Sequence, residues 1–260
     1  MNADRTLLTD SMWAELSPLL PGQAHCRGTT ARDTRGFVEA VLWLGRTGVG
    51  WRDLPPHLGH WHRVYVRFAR WRDSGVWERV AHWLVAHNRR IPHARQRQVQ
   101  LGSTSIRSHQ HAAAAAKKKG EQAIGRSRGG RTSKLHLSCD GAGNVLNWRL
   151  APGQAGDCPQ AAWLRAPHLA PACEVVADPA HNSDALRGLI AAAGALAVIP
   201  ANPRRRHVAH FDPCAYAKRH HIEQTINKLK QHRRLATRYD KLDASFEAFV
   251  CARIWTLYLN

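Results

Sequence analysis

At 260 residues with 44% hydrophobic content, the chain is long enough for one large or two modest domains, each with its own core. Lysine and arginine number 38 against 19 aspartate and glutamate, and the net charge of +19 points to a polyanionic partner; with the basic residues spread along the whole chain and no long apolar anchor, nucleic acid is expected and a membrane is not. The six cysteines never form a Cys-x-x-Cys pair and the histidine pairs have no partners at ligand spacing, which argues against a zinc finger or a structural metal.

The opening MNADRTLLTD is polar and charged where a leader would need an apolar run, so the expected compartment is the cytoplasm with reduced thiols. LLTDSMWAELSPLLPG predicts an amphipathic helix: Leu8, Met12, Trp13, Leu16, Leu19 and Leu20 recur at helical period, Thr9 or Asp10 can cap it, and Pro21 with Gly22 ends it. DTRGFVEAVLWLGRTG predicts a second helix closed by Gly48. HWHRVYVRFARWRDSGVWERVAHWLVAHNRR is broken by DSG into two helices, the first with Trp61, Val64, Tyr65, Phe68 and Trp71 on one face and Arg63, Arg67 and Arg70 toward the other. Two helices joined by a tight turn, one bearing an arginine row, suit docking in a DNA groove, so residues 1–92 are read as a helical, helix-turn-helix-like DNA-binding domain. The alternative is a bundle whose arginines face water. The tryptophans sit at the apolar period and are expected in the core.

Residues 93–260 form the second expected domain. RQVQLGSTSIRSH is β-branched and partly alternating, a strand. Residues 109–134 read as a basic, mobile insertion carrying Lys117, Lys118, Lys119, Arg126 and Arg128. KLHLSCDGAGNVLNWRLAPG predicts a hairpin, GDCPQAAWLRAP a helix with Asp157 at its N-cap, CEVVADPAH a strand ending at Asp178, NSDALRGLIAAAG a helix and ALAVIP a strand. PRRRHVAHF reads as a further basic loop. On one helix through AYAKRHHIEQTINKLK, Tyr216, Arg219, Glu223 and Lys230 would fall within an arc of roughly 60°, beside an apolar stripe of Ile222, Ile226 and Leu229. Such a row is either a solvated ion-pair face or a site.

The order of strand, hairpin, helix, strand, helix, strand and helix resembles an RNase H-like fold with a mixed five-stranded sheet. Tyr216-x2-Arg219-x3-Glu223-x6-Lys230, with GRSRGGRTSKLHL, APGQAGDCPQA and NKLKQHRRLATRYDKL, is similar to the bacterial insertion-sequence DDE transposases of the branch named for insertion sequence five, over nearly the whole chain. The resemblance implies Mg²⁺-dependent DNA strand cleavage and transfer at terminal inverted repeats. Two Mg²⁺ or Mn²⁺ ions would be held by three acids, Asp178 and Glu223 among them. Arg219 and Lys230 would reach DNA phosphates, and Tyr216 would pack along the strand backbone. The implied partners are the duplex ends of the element, target DNA and a second copy of the chain, in a bacterial, nucleoid-associated setting.

Two departures stand out. The family's first acid lies in an Asp-Ser-Thr run, and here the run is LGSTSIR, with Gly102 in that place; the block after the second acid reads Asp178-Pro179-Ala180-His181 in place of Asp-Lys-Gly-Tyr. A glycine cannot ligate a metal, so the metal site is expected to be impaired. A crippled copy that only binds DNA is therefore a second reading, and a basic RNA-binding protein a third. Asp140, in the hairpin turn, is expected at the wrong edge to replace the missing acid. Asp157 follows a strand that should run parallel to that of Asp178, so it is read either as a helix cap or as a substitute acid.

Overall fold

The computed structural model describes residues 7–23, 31–87, 97–113, 122–165, 169–201 and 211–259. Its helices, in chain order, are α1 (Asp10–Leu16), α2 (Thr34–Thr47), α3 (Trp61–Asp73), α4 (Val76–Ala86), the single turn α5 (Gln110–Ala113), α6 (Asp157–Arg165), α7 (Asp184–Ala192), α8 (Pro213–Ala217), α9 (His220–Lys230), the single turn α10 (Arg233–Ala236) and α11 (Asp243–Leu259). The strands used below are β1 (Gln98–Ser108), β2 (Gly125–Ser127), β3 (Gly130–Asp140), β4 (Val145–Pro152), β5 (Glu174–Val176) and β6 (Leu196–Val198).

Contacts divide the chain into two compact units, and the division is not a single cut. One unit takes Met1–His87, His109–Gln122 and Leu229–Asn260; the other takes Asn88–Ser108 and Ala123–Lys228. The first is helical, and its local starts and stops follow the expected chemistry. The Thr9 hydroxyl accepts from the Met12 N–H at 3.3 Å to cap α1, Asp33 accepts from the Gly36 N–H at 2.7 Å to cap α2, and Gly48 closes α2 in the left-handed region that a side chain would disfavour. Its core is aromatic. Trp77 stacks on Trp255 with centroids 4.8 Å apart, Phe68 stacks on Phe249 at 4.9 Å, and the Trp255 indole N–H donates to the Trp77 carbonyl at 3.2 Å. Helix α11 is buried nearly all round, which is why the C-terminal segment belongs to this unit rather than to the sheet.

The NKLKQHRRLATRYDKL block gives that unit a buried ion pair. Arg234 donates twice to Asp240, at 3.0 and 3.1 Å, and lies over the Phe249 ring at 4.5 Å, while Arg238, fully buried, donates to the Asp240 carbonyl at 2.9 Å.

Within the second unit the sheet runs β2-β3-β1-β5-β6, with β4 also pairing β3. β3 is antiparallel to β1, β2 and β4, and β5 is parallel to both β1 and β6. An antiparallel hairpin joined to three parallel strands is the RNase H-like arrangement expected. β2 is a strand beyond the expected five. It arises inside the basic insertion, whose second half is ordered: Gly125, Arg126 and Ser127 pair with Thr132, Arg131 and Gly130, and Gly130 turns at φ +93. Expecting mobility throughout 109–134 overlooked the alternation of RTSKLHL and the two glycines that let it fold back. Lys117, Lys118 and Lys119 lie outside the described residues, as does most of the PRRRHVAHF loop.

The two faces of β1 have separate tasks. Val99 and Leu101 pack with Val175 and Ala177, with Ala161 of α6 and with Leu186 and Ile190 of α7. Gln98, Gln100 and Gly102 alternate to the opposite face.

Asp240→Ala would strand Arg234 as a buried, unpaired cation. The expected loss of unfolding free energy is about 3–5 kcal/mol, checked by urea denaturation of the full chain.

Candidate functional site

Asp178 lies two residues past the end of β5 and caps the 3-10 turn Pro179–His181, accepting from the Ala180 N–H at 3.0 Å. The same oxygen lies 2.6 Å from Nδ1 of His181, a residue fully buried beneath it. Burial alone would raise the Asp178 carboxyl, but the hydrogen bond and charge of His181 and the charge of Arg219 outweigh it and hold the group below its ordinary range. Asp178-Pro179-Ala180-His181 is thus a self-capped turn in which proline fixes the first position and histidine holds the acid from below.

The expected single helix from 215 to 230 is two helices. α8 ends at Ala217, Lys218 and Arg219 form a turn, and α9 starts at His220. The break has a visible cause in Gln100, which is buried on β1. Its side-chain N–H donates to the Lys218 carbonyl at 2.9 Å and its Oε1 accepts from the Ile222 N–H at 3.0 Å, so a side chain satisfies backbone groups that a continuous helix would pair internally. Tyr216 therefore does not share a helix with Glu223. It packs with Val176, Val198, Ala215 and Phe211, its ring edge-on to Phe211 at 5.5 Å. Arg219, in the turn, still reaches both acids: NH1 donates to Glu223 Oε1 at 2.8 Å and NH2 lies 3.6 Å from Asp178 Oδ2. Lys230 is the last residue of α9, with its ammonium pKa lowered by burial.

Position 102 faces α9 directly. A Cβ there would come within 2.8 Å of Ile222 Cγ1 and 3.6 Å of Ile226 Cδ1, and Ile222 is fully buried. A side chain at 102, including the acid that the resemblance places here, would require Ile222 or the start of α9 to shift.

Asp157 is the first residue of α6 rather than its cap. Lys134 donates to its Oδ2 at 2.9 Å and Nδ1 of the buried His136 lies 3.3 Å from its Oδ1. Although burial would raise this carboxyl, the nearby His136, the hydrogen bond from Lys134 and the neighbouring Ser103 hydroxyl keep it well below the carboxylate range. Ser103 alternates with Gly102, and His136 is paired with Ser103 across the ladder, so Asp157 is tied to the face of β1 opposite residue 102. The Cys158 thiol donates to the Ala180 carbonyl at 3.0 Å, which holds this helix start beside the turn of Asp178. Asp140 binds its own hairpin turn, accepting from the Ala142 and Asn144 N–H groups at 2.8 and 2.9 Å.

These donors do not fit a two-metal centre. Asp178 is engaged by His181 and Arg219, Glu223 by Arg219, and Asp157 by Lys134 and His136. Among the described residues no group of three or more His, Cys, Asp and Glu side chains could hold a metal ion. Gln100 and His136 were not singled out from the sequence, and His181 was noted there only as a departure from the family's block. Only the parity of Gln100 and Gly102 on one strand face could have pointed to the first of them.

In the helical unit, Arg63 and Arg70 are exposed and border a cavity of about 540 Å³ lined also by Pro21, Gly22, His62 and Trp71. Arg67 borders it but is committed to packing: it donates to the Asp33 carbonyl at 2.9 Å and the Thr34 hydroxyl at 2.8 Å and lies over the Phe37 ring at 4.5 Å. In the sheet unit, Arg126 and Arg128 are exposed at the β2–β3 turn. No helix among the described residues is long and apolar enough to cross a membrane.

Comparison with known proteins adds the following. Residues 8–81 match the family described as "Putative transposase of IS4/5 family", and residues 101–257, more than half of the chain, match the family described as "Transposase DDE domain". The chain is 43% identical over 128 residues to the "Putative transposase for insertion sequence element IS6501" of Brucella ovis, covering 48% of this chain and 98% of that protein. It is 29% identical over 110 residues to an "Insertion element IS402 uncharacterized 16.2 kDa protein" of Burkholderia cepacia, covering 40% of this chain and 75% of that protein. Among solved structures, a piggyBac transposase synaptic complex with hairpin DNA aligns with a TM-score of 0.43 at 12% identity, over 78% of this chain and 49% of that one, so this chain spans about half the length of that transposase. A Mos1 transposase paired-end complex aligns with a TM-score of 0.27 at 11% identity, over 76% of this chain and 79% of that one.

Asp157 should carry part of the acid stability of the sheet unit. Its folded pKa is depressed, so the stabilisation is full above the unfolded carboxylate value of roughly 3.9 and is lost as pH falls toward the folded value. In Asp157→Asn the fall in melting temperature on going from pH 5 to pH 3 should be smaller than in the parent chain, with thermal denaturation as the measurement.

Proposed function

This chain belongs to the transposase DDE-domain family, and from that premise we propose that it is the DNA transposase of an insertion sequence, recognising the terminal inverted repeats of its own element, in a copy whose strand-cleavage centre is disabled. The helical region 1–92, completed by the C-terminal helix, is assigned to DNA-end binding, and the sheet region within 93–260 to the cleavage centre. Intact members of the family would cleave and transfer strands with divalent metal. In this chain the residues at the corresponding place do not form such a centre, and DNA binding is the activity that remains.

The observation that carries this reading is the pairing of Gly102 with Ile222. Gly102 stands where the resemblance places the first acid, and a side chain there would meet the buried Ile222, which supports the reading. Support for DNA binding comes from the net charge of +19 and from the exposed Arg63 and Arg70 on α3. Arg126, Arg128 and the lysines Lys117, Lys118 and Lys119 are proposed as further backbone contacts, and a dimer on DNA follows from the need to hold two element ends.

Using the full chain and a duplex ending in the inverted repeats that flank the coding region, Arg63→Ala with Arg70→Ala should weaken binding and reduce the slope of log affinity against log salt by about 2, since each phosphate contact contributes roughly 0.9. Arg67→Ala should instead lower the melting temperature. Unchanged affinity and slope in the double variant would sink the docking surface. On the same duplex with Mg²⁺ or Mn²⁺ the parent should nick at background, whereas Gly102→Asp combined with Ile222→Ala, which opens the space, should nick faster by orders of magnitude. Robust cleavage by the parent would overturn the disabled-centre reading.

A further inference from the structure

We infer that Arg219 is the resident cation of the Asp178–Glu223 pair: a guanidinium supplied by the chain closes the space between the two carboxylates and excludes a divalent ion from it. The inference rests on the proposed function only for naming these two residues as the acids of the site.

The geometry is specific. NH1 of Arg219 is 2.8 Å from Glu223 Oε1 and NH2 is 3.6 Å from Asp178 Oδ2, so the two ends of one planar fork point at the two acids. The remaining oxygen of Asp178 is already taken by the Ala180 N–H and His181 Nδ1. Nε of Arg219 is buried and makes no hydrogen bond, so the donors that are used are the ones aimed at the acids. The turn that presents Arg219 is fixed on both sides, because Gln100 holds the Lys218 carbonyl before it and the Ile222 N–H after it.

Charge explains why a guanidinium can hold this place. Three converging carboxylates would carry enough negative charge to favour divalent ions over a single side-chain cation. With glycine at 102 only Asp178 and Glu223 remain of the three, Asp178 is already bonded to His181, and Asp157, whose charge also acts on Asp178, is paired with Lys134, so one guanidinium leaves little net charge to attract a metal. A divalent ion would have to displace a bonded partner from each acid, and Mg²⁺ gives up its water reluctantly.

The test uses the full chain and Mn²⁺ alone, with free Mn²⁺ measured by electron paramagnetic resonance and folding monitored by circular dichroism. The parent should bind Mn²⁺ at this pair at least tenfold more weakly than Arg219→Gln, and the affinity gained should disappear when Glu223→Gln is added. Arg219→Met serves as the second variant should the glutamine variant fold poorly. Equal Mn²⁺ affinity of parent and both Arg219 variants would overturn the inference, and so would a gain that survives Glu223→Gln. Because no DNA is present, this result is independent of whether the chain binds inverted-repeat ends.

Discussion

The candidate site depends on one buried amide. Gln100 sits on the central strand, fully enclosed, and exchanges two hydrogen bonds with the backbone at the start of α9. A buried amide left without partners costs more than the bonds it makes are worth, so the contact is self-enforcing: the helix must begin where Gln100 can reach it. That fixes the turn at Lys218 and Arg219, and with it the direction of Arg219 toward Asp178. It also seats Ile222 over Gly102. A lone amphipathic helix would have been free to slide or to continue back through Tyr216; the glutamine removes both freedoms.

Much of the fold was legible because it rests on local chemistry. Thr9, Asp33, Gly48 and Gly75 mark helix ends by capping or by positive φ, and those signals need no tertiary partner. The strand order was legible only through resemblance, since β5 and β6 are three residues each and are held by pairing, β5 with β1 and β6 with β5. What failed did so where tertiary contacts override local preference. AYAKRHHIEQTINKLK has a helical period throughout, but a glutamine more than a hundred residues earlier breaks it. Within 109–134, composition indicated mobility while Gly129, Gly130 and a short alternating run made a hairpin. Arg67 matched its neighbours in sequence, yet three partners hold it half-buried against its own unit.

The carboxylates of the sheet unit illustrate how buried negative charge is settled by protein donors. Asp157 is held as an anion by Lys134, which donates to its Oδ2, and by the nearby His136. A carboxylate can be stabilised as an anion by protein donors or by a metal, and strong stabilisation by the first leaves less for the second. Its bonds reach Ser103 and His136, so its evident task is to tie β1, β3 and the start of α6 together. The lowered pKa of Asp157 is a sign of structure here, whereas Asp178 and Glu223 share one guanidinium between them.

Position 102 places fold and chemistry in opposition. An aspartate there would add a third acid beside Glu223 but would also drive a Cβ into Ile222, and the helix cannot withdraw without stretching the bonds of Gln100. Overpacking of this kind costs typically about 1–3 kcal/mol, a substantial share of the stability of a single unit. Once glycine occupies the position, the tight seat of α9 is the stable arrangement, and it stays stable whether or not the site performs chemistry. Gln100, which holds α9 on β1 through the Lys218 carbonyl and the Ile222 N–H, is not among the residues proposed to act on DNA, so the seat of α9 does not depend on the chemistry of the site.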